Sequence, residues 1–394
     1  MLPLLVPAPS SQEAIPDLDG RRRILRVLSG GELAEDIAAA WDRSQVAVIR
    51  GDKAAIRSLH VKAKSYDNGA DGKSLLADYK RLRRYFPQAS TIDPSRISPE
   101  LVPVGNHRSL EGKLFRLCRA YWSMPFSKGY GRRLRYLVMD QHHQAVIGII
   151  GLQSPPADLL CRDEYLGATK ENKLAIANTT MDAYTVGASP TYAPLLGGKL
   201  VAGFIHSEKI RQAYWRNYGK SETVILGKRL SQPLLAVTTT SAFGRSSIYN
   251  RLKIGDRLLA QPLGYTKGFG TIHLEELYPH IVAWLKDHDM HIPAGFGNGP
   301  KVRWQNIVRA LSELGVNRNH LGHGIARQVY LFEFSSNIHE VHHEGATATM
   351  HDFSDDHWAS HWKEKLCIKR IERNPDWASI DVDTMMREAI STFL

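Results

Sequence analysis

Cysteine is scarce in this chain of 394 residues: Cys118, Cys161 and Cys367 are the full set. They are odd in number, far apart and without the spacing of metal ligands, which excludes a disulfide framework and points to a reduced intracellular compartment. Long apolar runs are lacking too. Residues 1–9 are apolar but short, broken by prolines and without a basic leader, so residues 1–20 read as a loose arm and not as a signal peptide or membrane span. Internal repeats and low-complexity tracts are also missing, which excludes solenoids and disordered tails.

Acidic residues are outnumbered. The chain carries 51 Lys+Arg against 40 Asp+Glu, a formal net charge of +11, at 43% hydrophobic and 23% charged composition. That is a globular protein whose expected partner is anionic, nucleic acid first. The positive charge is clustered in Arg21-Arg22-Arg23, in Lys80-Arg81-Leu82-Arg83-Arg84-Tyr85 and in Gly131-Arg132-Arg133-Leu134-Arg135-Tyr136. Arginine beside tyrosine suits phosphate contact and base stacking.

Periodicity divides the chain into the arm, an N-terminal helical basic lobe with its linker (21–104), an α/β core (105–290) and a helical C-terminal extension (291–394). Residues 21–41 and 52–60 carry helical spacing, and 73–86 form an amphipathic basic helix stopped by Pro87. The proline-rich segment 92–104 reads as an extended connector. Strands are expected at 134–140 and 145–152, as a hairpin, and at 179–186 and 234–240, with a crossover helix over 198–205 and 207–218. Further helices fall at 274–287 and 302–314. Histidines at 339, 342, 343, 351, 357 and 361 lack the order of a zinc site, so no metal centre is expected from them.

The densest chemistry lies in residues 234–252. There a β-branched run, buried on both faces, opens at Gly244 into a turn bearing Ser241, Arg245, Ser246, Ser247, Tyr249, Asn250 and Arg251. The two serines are placed to begin a short helix, and strand ends of α/β sheets are where ligands bind. Asp182 and Tyr184, on the preceding strand, come near this turn in such a topology. The carboxylate is a candidate general base, metal ligand or core acceptor.

Three stretches taken together, residues 122–137, 192–202 and 238–252, resemble the DruA family of the Druantia anti-phage system. Gly264-Tyr265-Thr266-Lys267-Gly268 and His323-Gly324-Ile325-Ala326-Arg327 fit the same pattern, and the likeness covers roughly residues 90–380. The chain departs from it at Thr191, where relatives carry a second proline before the tyrosine. The resemblance implies a bacterial defence component acting in the cytoplasm with other Druantia proteins, a helicase among them.

The order hairpin, strand, Gly-Gly-Lys helix, strand, short tyrosine-bearing helix, strand is similar to the acetyltransferase-like (GNAT-like) arrangement. That likeness puts Gly197 and Gly198 where a coenzyme A pyrophosphate would bind, without the usual Arg-x-x-Gly-x-Gly loop. The expected site therefore combines Asp182, Ser241, Ser246 and Tyr249 as catalytic groups with Arg132, Arg133, Arg135, Lys199, Arg245, Asn250, Arg251, Tyr265 and Lys267 as nucleic-acid contacts; Tyr192 belongs to the same region. Three functions stay open: a DNA-engaging defence protein, a DNA-modifying or Mg2+-dependent DNA-cleaving enzyme, and a scaffold that recruits a helicase.

Overall fold

Alternating buried strands and amphipathic helices build a mixed α/β protein in the computed structural model, which describes residues 13–16, 22–65, 71–124, 129–223, 227, 229, 232–294 and 302–394. Of the expected arm, only Glu13–Pro16 falls in that range; it pairs with Arg22–Leu25, so the start of the first expected helix is a strand instead. Arg21 lies outside the described residues.

The chain divides into two units. The first comprises residues 1–68, 267–325 and 393–394, the second residues 69–266 and 326–392. In the first unit, α1 (Gly30–Ile49) begins on a capping box in which Ser29 and Glu32 satisfy each other's orphan groups. Leu33 and Ile37 of α1, one helical turn apart, pack with Leu274, Ile281, Trp284, Ile307 and Leu311 in a separate core. α2 (Lys53–Ser65) follows α1 directly, and Lys64 lies over the Phe393 ring at 4.7 Å.

The second unit is organised on a seven-stranded sheet of β1 (Pro99–Pro103), β2 (Arg133–Asp140), β3 (Ala145–Gln153), β4 (Thr180–Ala188), β5 (Ala236–Thr240), β6 (Gln261–Tyr265) and β7 (Gln328–Glu333). The spatial order is β6-β7-β5-β4-β3-β2-β1. Every neighbouring pair is antiparallel except β4 and β5, which are parallel. Two expectations change here. The connector at 92–104 supplies an edge strand, its prolines Pro99 and Pro103 tolerated because one side of β1 needs no donors. The C-terminal extension, expected to be helical, supplies β7, second from one edge of the sheet. The chain passes between the two units after residues 68, 266, 325 and 392.

Helices cover both faces. α3 (Gly72–Leu82) is the basic amphipathic helix read from sequence, continued by a 3-10 turn to Tyr85. α4 (Leu110–Tyr121), α5 (Leu160–Tyr165) and α6 (Lys173–Thr179) come next in sequence. The β4–β5 crossover holds α7 (Gly197–Gly203) and α8 (Glu208–Tyr218). After β7 come, in the tail, the six-residue Ile338–His343 helix and Asp355–Trp362, whose Trp358 and Trp362 are fully buried. Their indole N–H groups donate to the carbonyls of Leu200 and Leu196, so the tryptophans act as packing residues that also cap α7. No helix among the described residues is long and apolar enough to cross a membrane.

Candidate functional site

β4 and β5 pair in parallel only from Thr180/Ala236 to Asp182/Thr238, after which they part although β4 runs on to Ala188. Just beyond, the register of β3 against β4 shifts and leaves Tyr184 as an extra residue on β4, a bulge of the kind that re-aims side chains next to sites. Asp182 therefore sits where the sheet opens. Thr238 Oγ1 donates to its Oδ1 at 3.2 Å and Gln153 Nε2 to its Oδ2 at 3.1 Å. Both donors are neutral and their bonds long. Burial dominates over these bonds and over the more distant Arg162, and lifts the Asp182 carboxyl to about 6.

The same face of the sheet carries the surroundings of this carboxyl. Gly151 lies two residues before Gln153, and a Cβ there would come within 2.7 Å of the Tyr184 ring, so glycine is what lets that ring lie down on the strand. Arg119 of α4 stacks over Tyr184 at 5.7 Å and Arg135 over Phe115 at 5.9 Å. Tyr130, 47% exposed, has its phenol pushed up to about 12 by burial first and by the Asp182 charge second. On the other side of Asp182 this face is closed by the apolar cluster of Leu166, Ile176, Leu331 and Val341.

Adjacent residues on a strand point to opposite faces, and this separates the expected catalytic groups. Thr238 faces Asp182, whereas Thr239 faces Tyr249 and donates to the Ala183 carbonyl. Tyr249 is buried against Tyr330 and Phe332, with ring centroids at 5.1 and 6.0 Å, and its hydroxyl rises to about 12 through burial. It is a core residue, not an exposed nucleophile. Ser241 donates to the Gly244 carbonyl and accepts from the Gln328 N–H at 2.9 Å, so its hydroxyl is spent on holding the turn. Ser246 Oγ accepts from the Ile248 N–H at 3.2 Å. Residues 247–250 form a turn and not the expected helix. Gly244 supplies its left-handed corner at φ 52°.

The tip beyond β5 is exposed and basic. Arg245 Nε donates to the Tyr265 hydroxyl at 3.4 Å, and both side chains face solvent, as do Asn250 and Arg251. Lys199 reaches from α7 to the Asn250 carbonyl at 2.7 Å, and burial lowers its ammonium from the usual lysine range. It ties the turn to α7. Lys267 belongs to the first unit.

The arginines of β2 separate as well. Arg132 donates to the carbonyls of Asn178 and Ala177 at 2.6 Å each, to Thr180 at 3.3 Å and to the Tyr214 hydroxyl, so its guanidinium caps the end of α6. Arg133 is exposed and Arg135 half-buried. In α3's cluster, Arg81 and, from α4, Arg116 and Lys113 surround the buried Asp78, while Arg84 stacks on Tyr85 at 5.0 Å.

The loop before α7 does not fit a pyrophosphate. The N–H groups of Tyr192, Ala193, Leu195, Leu196 and Gly197 all close on carbonyls of the loop itself, and Gly197 and Gly198 are buried, the latter against Ile248. Thr191, the departure noted above, donates to the Pro87 carbonyl at 2.8 Å, and Tyr192 donates to Asp140 at 2.8 Å. Both are structural anchors. Arg162 and Asp163 form a buried ion pair. Of the tail histidines, His342 bonds Thr179 at 2.8 Å and His343 the Leu166 carbonyl at 3.1 Å. No cluster of three metal-ligating side chains occurs among the described residues.

Sequence reading missed Gln153, Arg119 and Tyr130. Gln153 had a visible signal: it is the polar last residue of the otherwise apolar strand Ala145–Gln153.

The fold and site define a two-unit α/β protein with a mixed seven-stranded sheet and a carboxyl at its one parallel junction. The family model for Druantia protein DruA matches residues 50–343. A curated relative, "Druantia protein DruA" of Escherichia coli (strain UMEA 4076-1), is 37% identical over 293 residues, covering 73% of this chain and 72% of its own length. The chain belongs to the DruA family. No solved structure matches it.

Proposed function

We propose that this chain is the nucleic-acid-engaging component of a Druantia anti-phage defence system, working with other proteins of that system, a helicase among them. The observation that carries this reading is the exposed Arg245–Tyr265 pair at the end of the sheet, flanked by Arg251 and Asn250. A guanidinium held next to an exposed phenol offers a phosphate contact and a stacking face together. Arg133 and the Arg84–Tyr85 pair are further basic and aromatic groups of the surface, and the net charge of +11 supplies long-range attraction. The test is the affinity for duplex and single-stranded DNA as salt is raised. Affinity should fall steeply, and Arg245→Ala, Arg251→Ala or Arg133→Ala should each reduce the logarithmic slope by about 1. Salt-independent affinity would refute the reading.

Asp182 favours a second role, modification of a base of the bound nucleic acid. A carboxyl lifted to about 6 is mostly ionised at neutral pH yet more basic than an ordinary aspartate, and suits proton acceptance. The acetyltransferase-like reading of the core is supported by the strand order and by the single parallel pair spanned by α7 and α8. The loop before α7, with its N–H groups closed on its own carbonyls, does not fit coenzyme A. Digested DNA from cells carrying the native chain should contain an altered nucleoside that is missing with Asp182→Asn; identical nucleoside mass profiles would exclude this role.

A further inference from the structure

Gln153 carries a second unpaired function beside Asp182. Its residue is 8% exposed, its Nε2 donates to Asp182, and its carbonyl oxygen Oε1 is buried with no hydrogen-bond partner. The orientation of this amide is fixed by chemistry. An ionised carboxylate only accepts, so the NH2 group must face Asp182 and the carbonyl must face away. A buried acceptor left unpaired is destabilising, and such orphans in native proteins mark sites completed by something else. The missing group must be a donor.

Two features narrow its chemistry. Arg119 lies over the Tyr184 ring at 5.7 Å, and Arg133 and Arg135 also act on the Tyr184 hydroxyl, so positive charge gathers on the Tyr184 side of the site. An alkylammonium would be repelled there, whereas a neutral amino group on an anionic carrier would be drawn in. The exposed Tyr130, whose carbonyl accepts from the Ser154 N–H next to Gln153, and Tyr184, whose ring lies over Gly151 two residues before Gln153, supply faces for a planar group. An amino group attached to a flat ring and carried on a phosphate is the exocyclic amine of a nucleotide.

We propose that Gln153 and Asp182 together bind the exocyclic amino group of a nucleobase, Gln153 Oε1 accepting one N–H and the Asp182 carboxylate the other. This rests on the nucleic-acid reading above and names the part of the nucleic acid that the carboxyl meets. The pair discriminates by hydrogen bonding: a base with a carbonyl at the same position presents an acceptor to two acceptors. Sites that leave buried polar groups unpaired with the wrong substrate reject it strongly.

The test uses the full chain and pairs of nucleotides that differ only in that group: dCMP against dUMP, and dAMP against dIMP. Saturation-transfer NMR at neutral pH reports weak binding directly. The amino member of at least one pair should bind about tenfold better or more, and Gln153→Leu should abolish the difference. Equal signals within both pairs, or no signal from any of the four, would overturn the proposal. Because the comparison between nucleotides is made on the unaltered chain, it stands even where Gln153→Leu fails to fold. The two readings fail separately: loss of salt-dependent DNA binding on Arg245→Ala bears on the basic tip, and loss of amino-group preference bears on Gln153 alone.

Discussion

Two aspartates on one sheet teach opposite lessons about burial. Asp140, at the end of β2, is fully buried and fully satisfied: Oδ1 accepts from the backbone N–H groups of Ser98 and His142 at 3.0 and 3.1 Å, and Oδ2 from the Tyr192 hydroxyl at 2.8 Å and His143 Nδ1 at 2.7 Å. His143 passes the connection on, its Nε2 accepting from the Asp93 N–H at 3.1 Å. Asp182 has two neutral side-chain donors and a carboxyl lifted to about 6. The first carboxylate joins the β2–β3 turn to β1 and to the α7 loop. The second is held in a state that only chemistry or ligand binding makes useful.

The largest effect should come from removing the satisfied partner. Asp140→Ala strands a tyrosine hydroxyl, an imidazole and two backbone N–H groups, and should cost ~3–5 kcal/mol of unfolding free energy in urea. Asp182→Asn should cost nothing and should gain stability above pH 6, while ending the activity proposed for that carboxyl. A loss of stability with Asp182→Asn equal to that with Asp140→Ala would erase the contrast.

Arg132 and Arg133 repeat it at smaller scale. Arg132→Ala frees three backbone carbonyls at the end of α6 and should cost ~2–3 kcal/mol with little change in the salt slope of DNA binding. Arg133→Ala should stay within about 0.5 kcal/mol of the native stability and reduce that slope. Chemical unfolding and salt titration on the same two variants decide this.

The pH dependence comes next. The folded pKa of Asp182, about 6, lies above its ordinary value of 3.8, so between the two the native chain holds a proton that the unfolded chain has released. Its contribution is therefore favourable at pH 4 and lost as pH rises through 6, on the order of 3 kcal/mol in total. Subtracting the Asp182→Asn stability profile from the native one should reveal this fall; a rise across the same window would contradict the placement of the carboxyl. The smallest effect is Tyr192→Phe, which removes one of the bonds to Asp140 and should cost ~1 kcal/mol.

The β2–β3 hairpin, β4, β5 and the crossover helices were legible from sequence because apolar alternation and short polar turns are local signals. Asp182 was legible too, as a lone carboxylate in a β-branched strand. The seventh strand was not, since Gln328–Glu333 is a six-residue run within a histidine- and tryptophan-rich tail, and its place between β5 and β6 is set by long-range pairing. The turn-bound setting of Ser241 and Ser246 and the burial of Tyr249 were not legible for a similar reason. Hydroxyl groups that close a tight turn and those that attack a substrate look alike in sequence, and only the Gly244 and Gln328 partners of Ser241 tell them apart. Gln153 was visible as the polar end of an apolar strand, but its orphan acceptor is a property of packing.

The most direct measurement is the titration of the Asp182 carboxyl carbon by NMR in the aspartate-labelled full chain, assigned by its disappearance in Asp182→Asn. A midpoint near 6 is expected. A midpoint at or under the ordinary 3.8 would mean that the carboxyl is solvated or satisfied like Asp140, and would contradict the account of a poised group at the opening of the sheet.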